Sequence, residues 1–484
     1  MADQGQISMG LNKPCILLII VSGMERFAFK GVASNLVTYL TDVMKMSNSS
    51  AAKYVNSWVG FTSMLPLIVA TLADSYWDRY TTILVSSVLY SAAFGADQLE
   101  NGDDLPLMKT ESNKGSDKSK FFQWWYFGIC CGCLLGVSVM SYVQDNLGWG
   151  LGFSMPTLFM LASILMFLCG NRFYKRKGRG DGNGNSLADI VRPVKAIVSK
   201  IVNLRNCPRR IELDLQERAS LCNPDQHNDN VTDNVTLVEN DEERVHPLQA
   251  AKIVLRLLPV WMVLLPFAVI FQQPATFFTK QGMTMRRNIG TDFKIPPAAL
   301  QSSITVSIVI LMPFYDKFFI PLVRIFTRDE KGISVMQRMG IGMFLSVIAM
   351  IIAAITEKKR LGLSQSVDLL TGDVPLSIFW LLPQYVLLGI SDIFTVVGMQ
   401  EFFYEEVPVR MRTMGIALYT SVFGVGSFLS AILIWVIEGL TRGEGNWFSD
   451  DMSKARLDKY YWFLAISGVI SLLGLVAFFK VFKR

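Results

Sequence analysis

Two charged side chains stand side by side where lipid would be expected. They are Glu25 and Arg26, in Met24-Glu25-Arg26-Phe27, inside the largely apolar stretch Ile16–Val43. Ionised groups in the middle of a membrane helix are costly unless they face a partner or a wet cavity. Two readings are open. The pair is either a polar path through a helical membrane protein, or an ion pair that locks helix packing. A second group of charges lies at a turn, with Asp74, Asp78 and Arg79 in Ala73-Asp74-Ser75-Tyr76-Trp77-Asp78-Arg79-Tyr80. Pro313-Phe314-Tyr315-Asp316-Lys317 is a faint repeat of that turn in the second half of the chain. Acid/base pairs at such turns can latch the halves of a rocking transporter; solvated turn charges explain the same spacing equally well.

The elements that must position these groups are long apolar segments. The 484 residues are 51% hydrophobic and only 18% charged, and their apolar runs are separated by short polar breaks. That pattern is a polytopic helical membrane protein, not a soluble domain. Candidate spans are Pro14–Asp42, Ala51–Asp74, Phe121–Tyr142, Leu151–Gly170, Ala250–Thr279, Pro297–Ile325, Ile333–Thr356, Leu376–Tyr404, Thr413–Ile437 and Tyr460–Phe482. Each can cross a hydrocarbon core that takes about 20 helical residues. Four precede and six follow one long polar stretch, which suggests a duplicated body. The net charge of +6 is spread over loops, which argues against nucleic-acid binding.

Chemistry of other kinds finds little support. The seven cysteines show no disulfide spacing and read as small apolar fillers or loop residues. The two histidines, His227 and His246, lie in or beside the polar stretch, so an intramembrane metal or hydrolase site is not expected. No nucleophile–base–orienter set is present, so the chain is not read as an enzyme, and no cofactor or metal is expected. No cleavable signal peptide is apparent, because the first apolar run continues into a full span.

Sidedness follows from the polar stretch. Asn171 to Arg210 carries eleven Lys/Arg against two Asp/Glu, which places it in the cytoplasm. Ile211–Val245 then carries ten Asp/Glu and two Lys/Arg. The chain thus divides into an N-terminal bundle at 1–170, a cytoplasmic central loop at 171–248 and a C-terminal six-helix bundle at 249–484. Tyr80–Gly95 disturbs the count. Sixteen helical residues reach about 24 Å against a core of about 30 Å, and both ends fall on the cytoplasmic side. The segment either dips in and returns, or spans and inverts everything after it. Glu357-Lys358-Lys359-Arg360 falls outside, against the usual charge bias. Asn48-Ser49-Ser50 also lies outside and is a usable glycosylation sequon, whereas the sequons at Asn230 and Asn234 are cytoplasmic chance matches. Lys280 and Arg286-Arg287 read as anchors at the outer surface. Gly128, Gly132 and Gly136 mark a helix face built for close contact.

Five stretches in order resemble the plant-type nitrate/peptide transporter family, the proton-dependent oligopeptide branch of the major facilitator superfamily. They are Glu25-Arg26-Phe27-Ala28-Phe29, Phe121–Gly128, Tyr142–Gly150, Phe277–Gly282 and Gln400-Glu401-Phe402-Phe403-Tyr404. The resemblance implies an all-α two-bundle fold, with alternating access to a central cavity. It also implies secondary transport of nitrate, a peptide or another small organic anion, coupled to protons, in the plasma or vacuolar membrane. Partners are then the small solute, protons and the lipid bilayer.

Three departures bear on mechanism. Ser22 stands where the family's first-helix motif usually has a Glu. Arg79–Tyr90 resembles the start of the family's third helix and Phe94–Gln98 the end of its fourth, so most of two helices, roughly 40–60 residues, is missing. About ten full spans and one short re-entrant or partial segment are therefore expected instead of twelve. The family's fourth-helix lysine, a partner of the first-helix acids, is lost with them. Phe271 replaces the seventh-helix histidine of some nitrate-transporting relatives. In the second half, Asp392 occupies the tenth-helix acid position that faces the substrate in the family, and mid-helix an unpaired acid would be expensive. Glu401 lies nearer the cytoplasmic end, as an interhelical gate or a cap on its neighbour. Glu25, Arg26 and Asp392 are thus the expected substrate and proton pathway. Asp74, Asp78, Arg79 and Glu401 are the gate or latch candidates.

Overall fold

The computed structural model describes residues 13–75, 115–169, 247–290, 293–314, 334–366, 374–408, 412–441 and 446–482. Among the described residues twelve α-helices carry the fold: α1 Lys13–Ala33, α2 Leu36–Asp42, α3 Asn48–Ser75, α4 Gly115–Asn146, α5 Trp149–Cys169, α6 Pro247–Ile270, α7 Phe277–Met283, α8 Ser302–Phe314, α9 Val335–Ser366, α10 Leu382–Glu405, α11 Arg412–Leu440 and α12 Leu457–Phe482. Helices are the solution that apolar chains adopt where no water can satisfy backbone groups. Six described helices are long and apolar enough to cross a membrane, and Leu255–Ile270 and Pro297–Leu311 are shorter apolar pieces.

Contacts fix the direction of each helix. Gly23 faces Gly128 and Gly132, Phe27 faces Gly136 and Gly31 faces Met140, so α1 and α4 run parallel. A Cβ at Gly132 would run into the backbone of Gly23, so only glycine permits this approach. Along α3, Ser49 meets Glu438, Asn56 meets Ser430 and Gly60 meets Gly424, so α3 and α11 are antiparallel. It follows that α3 ends on the side where α4 begins. The chain between them starts and finishes on one side, and the helices from α4 onward are not inverted. Tyr80–Gly95 itself, with Asp78 and Arg79, lies outside the described residues, as does the central stretch 170–246. We call the side bearing that central stretch the loop side and the other the far side.

The first and sixth candidate spans are not single helices. α1 stops at Ala33 and α2 resumes at Leu36; at the break the Asn35 side chain donates to Asp145 Oδ1 at 3.1 Å. The sixth begins as a 3-10 turn, Pro297–Gln301, before α8. Between α6 and α7 the chain unwinds at Phe271–Thr276 beside Pro274. Thr279 Oγ1 donates to the Pro274 carbonyl at 2.8 Å and Thr276 Oγ1 to the Gln272 carbonyl at 3.0 Å. Hydroxyls thereby satisfy carbonyls that the helix leaves open.

On the far side the ends of α7, α9, α10 and α12 close over an aromatic cluster of Phe277, Phe278, Tyr385, Phe448, Tyr460 and Tyr461. Glu357 and Arg360 complete this packing from α9. Both are almost fully buried, with Arg360 Nη2 2.6 Å from Glu357 Oε1. The remaining Arg360 donors reach Thr284 Oγ1 at 3.2 Å and the Met452 carbonyl at 2.7 Å. These two charges are an internal tie, not a loop signal.

Candidate functional site

α1 presents different faces to different neighbours. Gly23, Phe27 and Gly31 pack on α4, Ala28 packs with Met160 of α5, and Phe29 stacks on Trp58 of α3 at 5.2 Å between ring centroids. The remaining face carries Arg26 and, one turn further, Lys30. Glu25 and Arg26 form an ion pair at 2.7 Å and are partly exposed, at 25% and 16%. The Arg26 guanidinium also lies over the Phe29 ring, 5.6 Å from its centroid.

In the C-terminal group α6, α10 and α11 pack on one another through Leu264, Phe267, Met399, Phe403 and Val422. Asp392 lies in mid-α10 and is partly exposed, next to buried Ser391, whose hydroxyl donates to the Gly342 carbonyl at 2.6 Å. Trp261 Nε1 donates to Ser421 Oγ at 2.8 Å, and Phe271 meets Phe423 edge-on at 6.1 Å. Lys30, four positions after Arg26, shares its helix face and is exposed.

The far side is sealed by polar contacts between the two helix groups. Glu438 of α11 accepts from Ser49 Oγ at 2.6 Å and Lys53 Nζ at 2.7 Å of α3. Asp450 caps the start of α3, accepting from the Asn48 backbone N–H at 2.8 Å. Lys280 of α7 donates to Thr41 Oγ1 at 2.8 Å and lies 3.7 Å from Asp42. Burial pushes the Lys280 ammonium below its ordinary pKa, and the Asp42 carboxylate works against that shift. Arg287 approaches Asp145 at 4.0 Å, and Gln301 donates to the Ser34 carbonyl at 2.8 Å.

Three expectations are corrected here. Lys280 is not a surface anchor but a buried cross-group tie, since Asp42 and Thr41 offer it oxygen partners. Arg287 likewise points at Asp145, while Arg286 remains exposed. Asn48 is a poor glycan acceptor, because it is 6% exposed and its amide donates to the Ser449 and Asp450 carbonyls at 3.4 and 3.1 Å.

The gate candidates are placed unevenly. Glu401 of α10 pairs with Arg338 of α9 at 2.7 Å, a bond inside the C-terminal group of helices. Asp74 falls in the last turn of α3. Among the described residues no group of three or more His, Cys, Asp or Glu could hold a metal ion.

Residues 91–448 match the model of the POT family. The chain belongs to the POT family. It is 51% identical to Protein NRT1/PTR FAMILY 5.9 of Arabidopsis thaliana, over 99% of this chain and 97% of that one. It is 38% identical to Protein NRT1/PTR FAMILY 5.10 of the same plant, over 96% and 91%. The fold is that of solved POT family transporters. PepTSo superposes with a TM-score of 0.69 at 18% identity, covering 98% of this chain and 99% of that one. A POT family transporter in complex with 5-aminolevulinic acid gives 0.69 at 14%, covering 99% and 98%. The POT chain is therefore an integral, multi-pass membrane transporter of major-facilitator type. The 550-residue alignment to the 51%-identical relative takes in 99% of 484 residues, about 479, so about 70 of its columns are positions this chain lacks.

Proposed function

We propose that this POT family transporter moves a small anionic or zwitterionic solute, nitrate or a small organic molecule, by proton-coupled alternating access. The observation that carries the reading is that both helix groups keep partly exposed charges in mid-helix, the Glu25–Arg26 ion pair on α1 and Asp392 on α10, in a chain whose far side is tied shut between the helix groups. In this reading Arg26 attracts the negative group, Asp392 receives the positive group or a proton, and Glu25 tunes Arg26. Asp74, Asp78 and Arg79 act as latches between the halves on the loop side, and Glu401, bonded to Arg338, ties α10 to α9 there. 5-Aminolevulinic acid, bound by one structural neighbour, is a zwitterion of the class proposed. The membrane is the plasma or vacuolar membrane.

Uptake of labelled nitrate and of 5-aminolevulinic acid into a heterologous cell tests this. Uptake vanishes with Arg26→Ala and falls with Asp392→Asn; retained uptake in Arg26→Ala removes Arg26 from the site. Larger inward current under an acid-outside gradient than at uniform pH supports proton coupling, and equal currents refute it.

The missing columns favour a second reading, in which the chain is a shortened, transport-impaired member or works only with a full-length relative. Sequencing the transcript across positions 76–114 separates the two. A full-length product would withdraw it, and a stable, correctly targeted short protein with uptake would too.

A further inference from the structure

Between α7 and α8 the chain forms two small strand pairs on the far side. β1 Met285–Arg286 lies parallel to β4 Val374–Ser377, and β2 Asn288–Ile289 pairs antiparallel with β3 Phe293–Lys294. The first pair roots the segment in the C-terminal group. Met285 is fully buried, and the Val374 N–H donates to the Thr284 carbonyl at 3.1 Å. The second pair reaches the N-terminal group. Phe293 of β3 stacks on Tyr142 of α4, with 5.9 Å between ring centroids and 13° between their planes. Arg287, between β1 and β2, approaches Asp145 near the end of α4 at 4.0 Å, and its carbonyl accepts from the Ile295 N–H at 3.0 Å. Asp145 in turn accepts from Asn35 at the break between α1 and α2. The two ends of the segment are held with different strength. Phe293 and Tyr142 stay 47% and 41% exposed, so each ring gives one face to the other. Such a stack, and an ion pair that water reaches, are weak enough to break and re-form, whereas buried strand bonds are not.

We propose that β2 and β3 form a strap across the far-side seam, clasped to α4 by Phe293 on Tyr142, and that the clasp releases whenever the far side opens. This rests on the alternating-access reading above. In that reading the two helix groups part on the far side. α4 belongs to one group and the strap to the other, so the ring stack and the Arg287–Asp145 contact break. The β1–β4 root lies within one group and persists, and Asp145 keeps Asn35, a partner in its own group. The strap thereby sets how often the far side opens, apart from the ties made by Glu438 and Lys280.

The test is the rate at which an impermeant maleimide, applied from the far side, labels a cysteine placed at Ser430, which is buried where α3 meets α11. Phe293→Ala raises that rate about two- to tenfold, the loss expected for one ring stack, and Phe293→Tyr restores it. Arg287→Gln raises it about two- to fivefold, as an exposed pair should. Lys294→Ala, next along β3 and projecting to the opposite face, leaves it unchanged. An unchanged rate in Phe293→Ala overturns the proposal, as does an equal rise in Lys294→Ala, which would mark general loosening of the strands. Cysteines at Tyr142 and Phe293 joined by a short, reducible bis-methanethiosulfonate give a second arm. The bridge stops uptake of nitrate or 5-aminolevulinic acid and dithiothreitol restores it, while each single-cysteine variant treated alike is unaffected. Uptake that persists through the bridge overturns the strap. A protein with no uptake before bridging removes the transport reading instead, and the labelling rates still decide the strap.

Discussion

Arg360→Met should be among the most damaging single substitutions in the second half of the chain, and replacing its partner as well should undo much of the damage. Arg360 and Glu357 are 1% and 0% exposed, joined through two bonds at 2.8 and 2.6 Å. Taking one charge from such a pair strands the other in a low-dielectric interior, at a cost of about 3–5 kcal/mol. Arg360→Met falls at the upper end, because Thr284 Oγ1 and the Met452 carbonyl also lose a donor. Glu357→Leu leaves an uncompensated guanidinium and costs a similar amount. The double variant buries no unpaired charge, so it forfeits chiefly those two hydrogen bonds, about 1–3 kcal/mol. The coupling between the two sites is then about 3 kcal/mol or more. Unfolding by SDS in mixed micelles, followed by tryptophan fluorescence, gives the four free energies of the cycle. Additive single effects would refute the argument, since they would mean that neither charge depends on the other. The damage also reaches the far-side seal: Thr284 ends α7, and α7 carries Lys280 to Asp42 and Thr41.

Other outcomes follow from the same contacts. Glu438→Gln weakens a pair that is about a quarter exposed, so the closed far side should lose only about 0.5–1 kcal/mol, a two- to fivefold shift. The labelling rate of a cysteine placed at Ser430 reads that shift, and an unchanged rate would count against the seal. Gly132→Val should abolish recovery of folded protein, because its side chain would occupy the Gly23 backbone, whereas Gly150→Ala, with open space around it, should be recovered normally; equal recovery contradicts the close α1–α4 contact. Asn48→Gln should leave electrophoretic mobility unchanged, and endoglycosidase treatment of the wild type should do the same; a shift would show that a glycan is carried at Asn48.

The pattern of apolar segments settled that the chain is a helical membrane protein, because lipid leaves backbone groups no partner but the helix itself. Motifs such as Glu25-Arg26-Phe27 and Gln400-Glu401-Phe402 carried the family, since those side chains are constrained by chemistry and not by lipid. The glycine spacing on α4 showed that a helix packs closely there, but not that α1 is its partner. Pairings between groups distant in sequence could not be read at all. Lys280 with Asp42, Glu438 with Ser49 and Lys53, and Asp450 with the start of α3 join residues more than two hundred positions apart.

Sequence alone therefore decided that the segments are membrane helices, because that depends on local transfer of side chains between water and lipid. Tertiary structure decided which charge meets which. Arg26 is taken by the residue beside it, Arg360 is locked into a core and Lys280 is drawn to Asp42 and Thr41. The difference lies in distance and burial, which are properties of helices brought together and not of any one stretch of chain.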